Sequence, residues 1–387
     1  MKEGRMYKKF GEIATFSRGL TFAKGDVANT SSKKVLRSNN IDLIGHSLNF
    51  DDVACLNENF VIPDEKKLHK GDIFICMSNG STQHLGKVAF VEDDIDYAFG
   101  GFMGAIHPMV QVVYPKYAFY SCLSTEYRRF LGSILNGINI NNLKWSDLSK
   151  FSIPVPPIET QQHIVSELDL LQSIIYKQQA QLKELDNLAQ AVFYDMFGDP
   201  KRKGFTMKPL GSIAEMKSGY TPSEEELFRF GSYPYFKVGD MNTEGNQKYL
   251  SITKSYANPP KKVFPKDSIV FPKNGAAIGT NKKRILAQES IVDLNTAILI
   301  CDKNQVVINY IYCWLLSIDF KDYTRRGAVP TLDSKELMNT QLPLPPLSLQ
   351  QSFSAKIESI EKQKAAISKS IEETQKIFDY TMDKYFG

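Results

Sequence analysis

Residues 153–158 read Ile-Pro-Val-Pro-Pro-Ile, and residues 342–347 read Leu-Pro-Leu-Pro-Pro-Leu. The same shift, 189 residues, superposes two further pairs without a gap, Gln161-Gln162 on Gln350-Gln351 and Phe197-Gly198 on Phe386-Gly387. Self-similarity at a fixed spacing indicates an internal repeat, and a repeat decides the architecture of a chain. The sequence therefore predicts one structural unit present twice.

The beginning of each copy carries a second set of matches, at a shift of 200 residues. They are Gly11-x-Ile13-Ala14 on Gly211-x-Ile213-Ala214, Gly19-x-Thr21 on Gly219-x-Thr221, and residues 37–41 on residues 237–241. The middles of the copies consequently differ in length by 11 residues. Chance explains a single short motif, but it does not explain separated anchors that keep one register. Matching ends and differing middles indicate a shared scaffold whose two copies face different targets.

A heptad pattern follows each proline motif. Positions taken in alternating steps of four and three, from Ile164 to Met196, are apolar at nine of ten places, and those from Phe353 to Tyr385 are apolar at seven of ten. The polar exceptions are Gln178, Lys364, Thr374 and Thr381. A 3.5-residue period held over four heptads is typical of a coiled coil. The prolines predict a sharp helix start, because proline cannot continue a helix inward.

The two helices are predicted to pair with each other; the alternative is that each covers only the core of its own module. Because the first helix must return the chain to a second module, we expect an antiparallel pair with the modules at opposite ends. About 33 residues at about 1.5 Å each give a rod of roughly 50 Å. Gly198 and Gly387 stand where a C-cap glycine is expected.

The globular parts are predicted to be mixed, with many short strands. Strand-like runs are residues 72–75, 87–91, 268–271 and 296–300, and helical stretches are Tyr117–Leu131 and Val307–Phe320. The fold class is therefore α+β, with two globular domains, two long helices in an antiparallel coiled coil, and a pseudo-two-fold repeat. The expected divisions are a first domain at 1–150, a first helix at 151–198, a second domain at 199–340 and a second helix at 341–387.

Composition limits the classes of function. Hydrophobic residues make up 42% and charged residues 23% of the 387 residues, as in ordinary globular domains. A net charge of +4 permits a polyanionic partner without requiring one. Five cysteines without a C-x-x-C pair disfavour a disulfide framework or zinc cage and indicate a reducing cytosol. We expect no signal peptide and no membrane span.

Loops rich in small polar and basic side chains are the candidate contact sites. In the first loop of each module the candidates are Asn79, Ser81, Thr82, Gln83, His84 and Lys87, and Lys273, Asn274, Thr280, Asn281, Lys282 and Lys283. In the second they are Arg128, Arg129, Asn139, Asn141, Asn142 and Lys144, and Arg325, Arg326 and Thr331. Asn and Gln bind adenine edges, Arg and Lys bind guanine, and both cations bind phosphate.

Each candidate loop has an alternative interpretation. The first loops are equally well explained as solvated hairpin tips, and an arginine pair is more often ordinary surface charge than a contact. The two arginine pairs nevertheless occupy comparable places in the repeat. A third loop, Arg37 to Asn40 and its counterpart Lys237 to Asp240, is expected to be structural.

Catalytic motifs are incomplete. Residues 258–261 read Asn-Pro-Pro-Lys, so Lys261 replaces the aromatic residue of an amino-methyltransferase motif. The stretch from Gly80 to Lys87 misses P-loop spacing. The five histidines occur singly, without metal-ligand spacing. We therefore expect a non-catalytic chain with no cofactor and no metal site.

Taken together, the doubled G-x-I-A and G-x-T openings, the I-P-x-P-P-x-x-x-Q-Q motifs, the heptad helices and the final F-G resemble the specificity (S) subunit, HsdS, of Type I restriction–modification systems. The resemblance spans the whole chain. It implies that each module is a target recognition domain for one half of a split DNA sequence. The 11-residue difference between the middles suggests that the two halves differ, so we expect an asymmetric target. The resemblance further implies that the helices separate these domains and dock two methyltransferase subunits, in the cytoplasm of a prokaryote.

The resemblance also places the chemistry on other chains. S-adenosylmethionine is expected on the methyltransferase subunits, and ATP and Mg²⁺ on restriction/translocase subunits. No catalytic residue carries over. The rival hypotheses are a standalone methyltransferase or nuclease, a protein-interaction scaffold that binds no nucleic acid, and a specificity partner for methyltransferase alone.

Overall fold

The computed structural model describes residues 6–43, 45–80, 84–135, 142–198, 203–258, 261–325, 327 and 329–387. Six predicted contact residues lie outside these ranges, namely Ser81, Thr82, Gln83, Asn139, Asn141 and Arg326. The chain separates into two compact units. The first comprises Met1–Gln181 with Ile367–Gly387, and the second comprises Leu182–Ala366. Each unit thus contains part of both long helices, and the four predicted segment boundaries stay a prediction.

The first unit is built from short strands. They are β1 (Tyr7–Lys9), β2 (Ala14–Arg18), β3 (Val27–Ala28), β4 (Lys34–Leu36), β5 (Ala54–Leu56), β6 (Lys67–Leu68), β7 (Ile73–Cys76), β8 (Val88–Phe90), β9 (Ile95–Phe99), β10 (Met103–Pro108) and β11 (Ser152–Pro154). The helices are α1 (Phe10–Ile13), α2 (Pro115–Ser121), α3 (Thr125–Leu135), α4 (Trp145–Leu148) and the first part of α5 (Ile158–Phe197).

Two main sheets form the first module. One is antiparallel with the order β2-β10-β7-β8, and the other has the order β3-β5-β4-β9-β6 with β4 and β9 parallel. Strand β1 pairs with β11 and joins the start of the chain to the residues before α5. All four residues of β7 are buried, as expected for an inner strand covered on both faces.

The second unit has a matching set of elements. Its strands are β12 (Thr206–Pro209), β13 (Ala214–Ser218), β14 (Leu227–Phe228), β15 (Tyr233–Phe236), β16 (Tyr249–Leu250), β17 (Tyr256–Ala257), β18 (Ile269–Pro272), β19 (Arg284–Leu286), β20 (Ile291–Val292), β21 (Thr296–Cys301), β22 (Thr324–Arg325), β23 (Thr331–Leu332) and β24 (Gln341–Leu344). The helices are α6 (Ile308–Leu316), α7 (Ser334–Asn339) and the first part of α8 (Leu347–Phe386).

The sheets of the second module repeat those of the first. The order β13-β21-β18-β19-β16 corresponds to β2-β10-β7-β8, and the parallel pair of β15 with β20 corresponds to that of β4 with β9. Strand β12 pairs with β24 as β1 pairs with β11. Strands β14, β17 and β15 complete the second sheet, and β22 pairs with β23. The predicted α+β repeat is therefore confirmed.

The four predicted strand runs are present as β7, β8, β18 and β21. The predicted helix Tyr117–Leu131 is instead two helices, α2 and α3. The reason is local, because Ser121 and Ser124 donate their hydroxyls to carbonyls three residues earlier, and the Ser124 hydroxyl accepts the Tyr127 N–H at 3.1 Å. The predicted helix Val307–Phe320 ends as α6 at Leu316, and a 3₁₀ turn, Phe320–Tyr323, follows.

In the first unit, α5 and α8 run antiparallel. Gln178 Nε2 donates to Ser370 Oγ at 2.7 Å, and Tyr385 O–H donates to Glu167 Oε2 at 2.9 Å. The earlier residue of α5, Glu167, thus contacts the later residue of α8, Tyr385, as expected for antiparallel helices. Gln178, the polar exception in the first heptad pattern, is used in a hydrogen bond between the helices.

The second unit shows the same direction of pairing. Lys364 Nζ lies 2.6 Å from Asp186 Oδ1, and the rings of Phe193 and Phe353 lie 5.6 Å apart. The predicted heptad positions of both helices are all buried or half-buried. The predicted antiparallel coiled coil is confirmed by the contacts inside each unit.

The end of each long helix also packs on the module of the other copy. In the first unit Phe386 lies 4.9 Å from the Tyr117 ring, and in the second unit Phe197 lies 4.8 Å from the Tyr310 ring. The repeated Phe-Gly motif is therefore a core contact, and the glycine N–H groups still bond four residues back, to Tyr194 and Asp383. Helix pairing and core covering, posed above as alternatives, occur together.

The repeated glutamines fix the start of each helix. Gln161, fully buried, accepts the Tyr114 N–H at 2.7 Å and donates to the Pro156 carbonyl at 2.7 Å. In the second unit Gln350 accepts the Val307 N–H and donates to the Pro345 carbonyl, both at 2.9 Å. A buried amide that satisfies main-chain groups on two segments explains why the motif requires glutamine.

Candidate nucleic-acid interface

In the first module the predicted contact loops come together. Ser78 forms an isolated β-bridge with Asn142, and the Leu143 N–H donates to the Met77 carbonyl at 2.8 Å. Asn79 Nδ2 donates to Ser38 Oγ at 3.4 Å and so connects the third loop as well. Three segments that are distant in sequence therefore share one surface.

An open cleft of about 710 Å³ lies at this junction, and we call it the first cleft. Its polar lining includes Thr21, Arg37, Asn39, Asp52 and Asn79. Its apolar lining includes Phe22 and Phe102, and Phe102 is 73% exposed. A concave surface with amide, guanidinium and carboxylate groups beside an exposed aromatic ring suits the edges and faces of nucleobases.

The glycine of the G-x-T motif is explained by a close approach beside this cleft. A Cβ atom at Gly19 would lie 2.0 Å from the carbonyl oxygen of Gly100. At Gly219, in the second module, it would lie 2.2 Å from the carbonyl oxygen of Asp293. Both modules therefore need glycine where the chain leaves β2 and β13.

In the second module the first and second loops also meet. Asn274 bridges to Thr331, the Gly275 N–H donates to the Pro330 carbonyl at 2.8 Å, and the Leu332 N–H donates to the Lys273 carbonyl at 2.9 Å. The same pair of loops is thus joined in both modules, although their side chains differ.

Two lysines converge on Ser218 in the second module. Lys262 Nζ donates to the Ser218 carbonyl at 2.9 Å, and Lys273 Nζ donates to the Ser218 hydroxyl at 2.7 Å. Burial, followed by the nearby charge of Lys262, lowers the pKa of Lys273. Across the part of the chain that the structure describes, neither ammonium forms an ion pair with a carboxylate. Two neighbouring cations of this kind are suited to binding an anion.

Asp293 occupies the place that corresponds to Gly100 in the first module. Its Oδ2 accepts the hydroxyls of Thr221 and Tyr235, both at 3.1 Å, and its Oδ1 accepts the Asn295 N–H at 2.7 Å. Only 9% of Asp293 is exposed. The carboxylate is therefore held by three hydrogen bonds at the place where the first module has Gly100 beside the open cleft.

The described candidates differ in exposure. Exposed are Arg128, Arg129, Asn142, Lys144, Thr280, Arg325 and Thr331; half-buried are Asn79, His84, Lys87, Lys273, Asn274, Asn281 and Lys282. Some have internal partners, since Lys87 Nζ contacts the His84 ring and Lys282 Nζ donates to Asn242 Oδ1. For these residues a DNA contact stays a prediction. The signal that sequence reasoning missed is Lys262, which meets Lys273 only through folding.

Lys283 requires a correction, because it is fully buried. Its Nζ donates to the Ile318 carbonyl and to Asn281 Oδ1, both at 2.7 Å, and lies 4.0 Å from the centre of the Phe320 ring. Burial lowers the pKa of Lys283 to about 8. Its ammonium is used inside the module, so Lys283 is removed from the predicted surface contacts.

Arg325 does not occupy the place of Arg128 and Arg129, contrary to expectation. Arg128 and Arg129 lie within helix α3, whereas Arg325 lies in strand β22. Arg129 Nη1 pairs with Glu126 and Arg325 Nε pairs with Asp333, each at 2.5 Å. In the part of the repeat where the first module has α3, the second module has a 3₁₀ turn and a strand. The arginines are therefore not structurally equivalent, although the residue type is the same.

The third loop has a mixed role. Asn40 is 1% exposed, accepts the Arg37 N–H at 2.7 Å and donates to the carbonyls of Asn49 and Asp52 at 2.8 and 3.0 Å. These bonds agree with the structural role expected for the loop. Arg37 and Asn39, however, line the first cleft.

A Ser–His–Asp chain forms in the first module from residues far apart in sequence. Ser17 Oγ lies 2.8 Å from His107 Nε2, and His107 Nδ1 lies 2.7 Å from Asp72 Oδ1. Asp72 also accepts the His69 N–H at 2.8 Å. The order of bonds is that of a hydrolase triad, but none of the three residues lines the first cleft. We assign this chain a structural role in linking β2, β10 and the turn before β7.

Within the described ranges, no helix combines the length and apolarity needed to cross a membrane. Over the same residues, no group of three or more His, Cys, Asp or Glu side chains is placed to hold a metal ion.

Comparison with curated proteins identifies specificity subunits. The chain is 28% identical over 191 residues to the specificity subunit of the type I restriction enzyme StySPI of Salmonella potsdam, and 27% identical over 191 residues to that of EcoKI of Escherichia coli K12. Each match covers 49% of this chain and 40% of the relative, so it spans less than half of those proteins. A 24% match to the MjaIX specificity subunit of Methanocaldococcus jannaschii covers 70% of this chain and 68% of the relative.

Solved structures show the same fold. The type I restriction–modification S subunit of M. genitalium matches with a TM-score of 0.59 at 15% identity, over 100% of this chain and 98% of that one. A chain from a type I R-M system studied for complex assembly and conformational transition matches with a TM-score of 0.58 at 17% identity, with the same coverage. The family model for the Type I restriction modification DNA specificity domain matches twice, at residues 2–186 and 202–376. The chain therefore belongs to the Type I restriction modification DNA specificity domain family and carries the domain in two copies.

Proposed function

We propose that this chain is the non-catalytic DNA-reading subunit of a type I restriction–modification complex, and that each module contacts one half of an asymmetric, two-part DNA target. The observation that carries the proposal is the meeting of the same two loops in both modules, at Ser78 with Asn142 and at Asn274 with Thr331. The scaffold is repeated while the side chains on it differ. Such an arrangement supports two readers with different sequence preferences.

A pair of lysines supports this function in the second module. Lys262 and Lys273 present two ammonium groups on Ser218, and a DNA phosphate would relieve their mutual repulsion. Phosphate contacts position a protein on DNA, and base contacts give it sequence preference. The pair is therefore proposed as a positioning site rather than a base reader.

The helices are proposed to dock partner subunits. Large apolar side chains are exposed on their surfaces: Leu170, Tyr176, Ile377 and Tyr380 in the first unit, and Leu188 and Tyr194 in the second. Contiguous exposed apolar surface marks protein interaction sites, and we propose that these side chains contribute to such surfaces. We propose that two methyltransferase subunits bind there, that restriction/translocase subunits join the complex, and that S-adenosylmethionine, ATP and Mg²⁺ bind to those partners.

Selection from a library of randomised duplex DNA tests the proposal. The full chain, alone and with its methyltransferase subunits, should enrich sequences with two defined parts separated by an unread gap of fixed length. Binding should weaken as salt rises, because cations on the protein displace counterions from DNA. Absence of enrichment, with tight binding to the partner subunits, would favour the scaffold hypothesis.

Changing the lengths of α5 and α8 tests whether the two helices set the spacing between the half-sites. Seven residues added after Leu182 in α5 and seven added at Ile367 in α8 would lengthen both antiparallel helices by about 10 Å. The expected result is a longer unread gap between unchanged half-sites. An unchanged gap would show that the helices do not set the spacing.

A further inference from the structure

The first cleft contains a fixed arginine. Arg37 Nη2 donates to Asp52 Oδ2 at 3.2 Å, and Asn39 Nδ2 donates to the same oxygen at 3.1 Å. The Asp52 carbonyl accepts Asn39 Nδ2 at 2.9 Å and Asn40 Nδ2 at 3.0 Å. Asp52 is thus held by both its main chain and its carboxylate, and it orients the guanidinium beside an amide.

Stability alone is a weak explanation for this arrangement. The side chains of Arg37 and Asp52 are 46% and 78% exposed, and exposed ion pairs contribute little to folding. The guanidinium keeps other N–H donors in a planar fork, and such a fork matches the O6 and N7 acceptors of guanine in the major groove. Phe102, 73% exposed in the same cleft, adds an apolar surface for a neighbouring base or thymine methyl.

The second module does not repeat this group. Lys237 stands at the position that corresponds to Arg37, and Gly239 stands at that of Asn39. A lysine ammonium is a point charge and lacks the planar, bidentate donor geometry of the arginine guanidinium. Lys237 Nζ lies 5.7 Å from the centre of the Tyr235 ring. The group of Arg37, Asn39 and Asp52 is therefore a feature of the first module.

We propose that Arg37 reads a guanine in the half-site of the first module, donating to O6 and N7, and that Asp52 is a positioning residue that fixes its guanidinium. This inference rests on the proposed function. It deepens that function by naming one base and the residue that reads it.

The experiment is selection from randomised duplex DNA with the full chain and its methyltransferase subunits, for the wild type, Arg37→Lys and Asp52→Asn. Arg37→Lys keeps the positive charge but removes the planar pair of N–H donors of the guanidinium. At one G·C position of the first half-site, discrimination should fall about 10- to 100-fold for Arg37→Lys. Asp52→Asn should weaken discrimination at the same position and nowhere else. A purely structural role would not produce a loss at one position.

Lys150→Arg is the matched control, because Lys150 is an exposed cation paired with Asp147 at 2.9 Å outside the cleft. It should leave the selected sequence unchanged, and all variants should keep the unfolding temperature of the wild type. A uniform loss of affinity for every sequence in Arg37→Lys would identify a phosphate contact and overturn the inference. An unchanged preference, or a first half-site without guanine, would also overturn it. If the wild type enriches no sequence, the proposed function itself fails.

Discussion

The two modules share a scaffold and differ at the surface that we propose contacts DNA. Beside the G-x-T glycine the first module has Gly100 and an open cleft, whereas the second has Asp293, held by Thr221 and Tyr235. By strand register, fully buried Lys283 in the second module stands where the first module has buried Val88. Repeated backbone geometry therefore does not imply repeated surface chemistry, and each module has to be interpreted from its own side chains.

The largest expected effect comes from exchanging one module. If residues 1–142 are replaced by those of another family member, only the first half-site should change, because each module is proposed to contact its half independently. Binding to the original first half-site should fall about 1,000-fold or more, toward non-specific affinity. Selection from randomised DNA measures both halves at once. A change in both halves would show that the modules do not read independently.

Next in size is the loss of the lysine pair of the second module, Lys262 and Lys273. Lys262→Ala with Lys273→Ala should weaken binding to all sequences and reduce the slope of log affinity against log salt by about 2, roughly one for each phosphate contact. A salt titration measures this slope. Lys303→Ala is the control, since Lys303 pairs with Asp267 at 3.1 Å. Loss confined to particular base pairs would contradict a phosphate contact.

A smaller effect is expected when the carboxylate of Asp293 is removed from the second module. Asp293→Ala should lower the free energy of unfolding of the second unit by about 3 kcal/mol, because the Thr221 and Tyr235 hydroxyls lose their acceptor. Gly100→Ala is the matched change in the first module. Its Cβ would meet the Leu36 carbonyl oxygen at 3.6 Å, so its effect should stay within about 0.5 kcal/mol. Urea unfolding measures the free energy of unfolding of both variants. Equal losses would show that Asp293 and Gly100 do not differ in their contribution to stability.

The smallest effect concerns pH and Lys283. Its pKa in the folded chain is about 8, below the ordinary value of 10.5. Between these values the unfolded chain binds more protons, so this residue makes stability rise with pH from about 8 upward. Lys283→Met should remove about 2 kcal/mol of that rise. Thermal unfolding between pH 7 and pH 10 measures it. Lys87→Met, the control in the first module, should change the slope less, and equal slopes would refute the contrast in burial.

Several parts of the structure were predictable because their signals are local. The heptad period predicted the paired helices, and the apolar runs predicted β7, β8, β18 and β21. The helix predicted at Tyr117–Leu131 failed at Ser121–Ser124, where side-chain hydroxyls compete for helix hydrogen bonds. The predicted equivalence of Arg325 with Arg128 and Arg129 was wrong, because these arginines lie on a strand in one module and on a helix in the other.

By itself, the sequence determined the repeat, the direction of helix pairing and the segments proposed as contact loops, since register and periodicity are properties of the chain alone. The tertiary structure decided what those loops present. It buried Lys283, brought Lys262 to Lys273, set Asp52 against Arg37 and completed each module with the end of the other copy's helix. These outcomes depend on residues distant in sequence, and the free energy of burying or pairing a charge is set by the surroundings that folding creates.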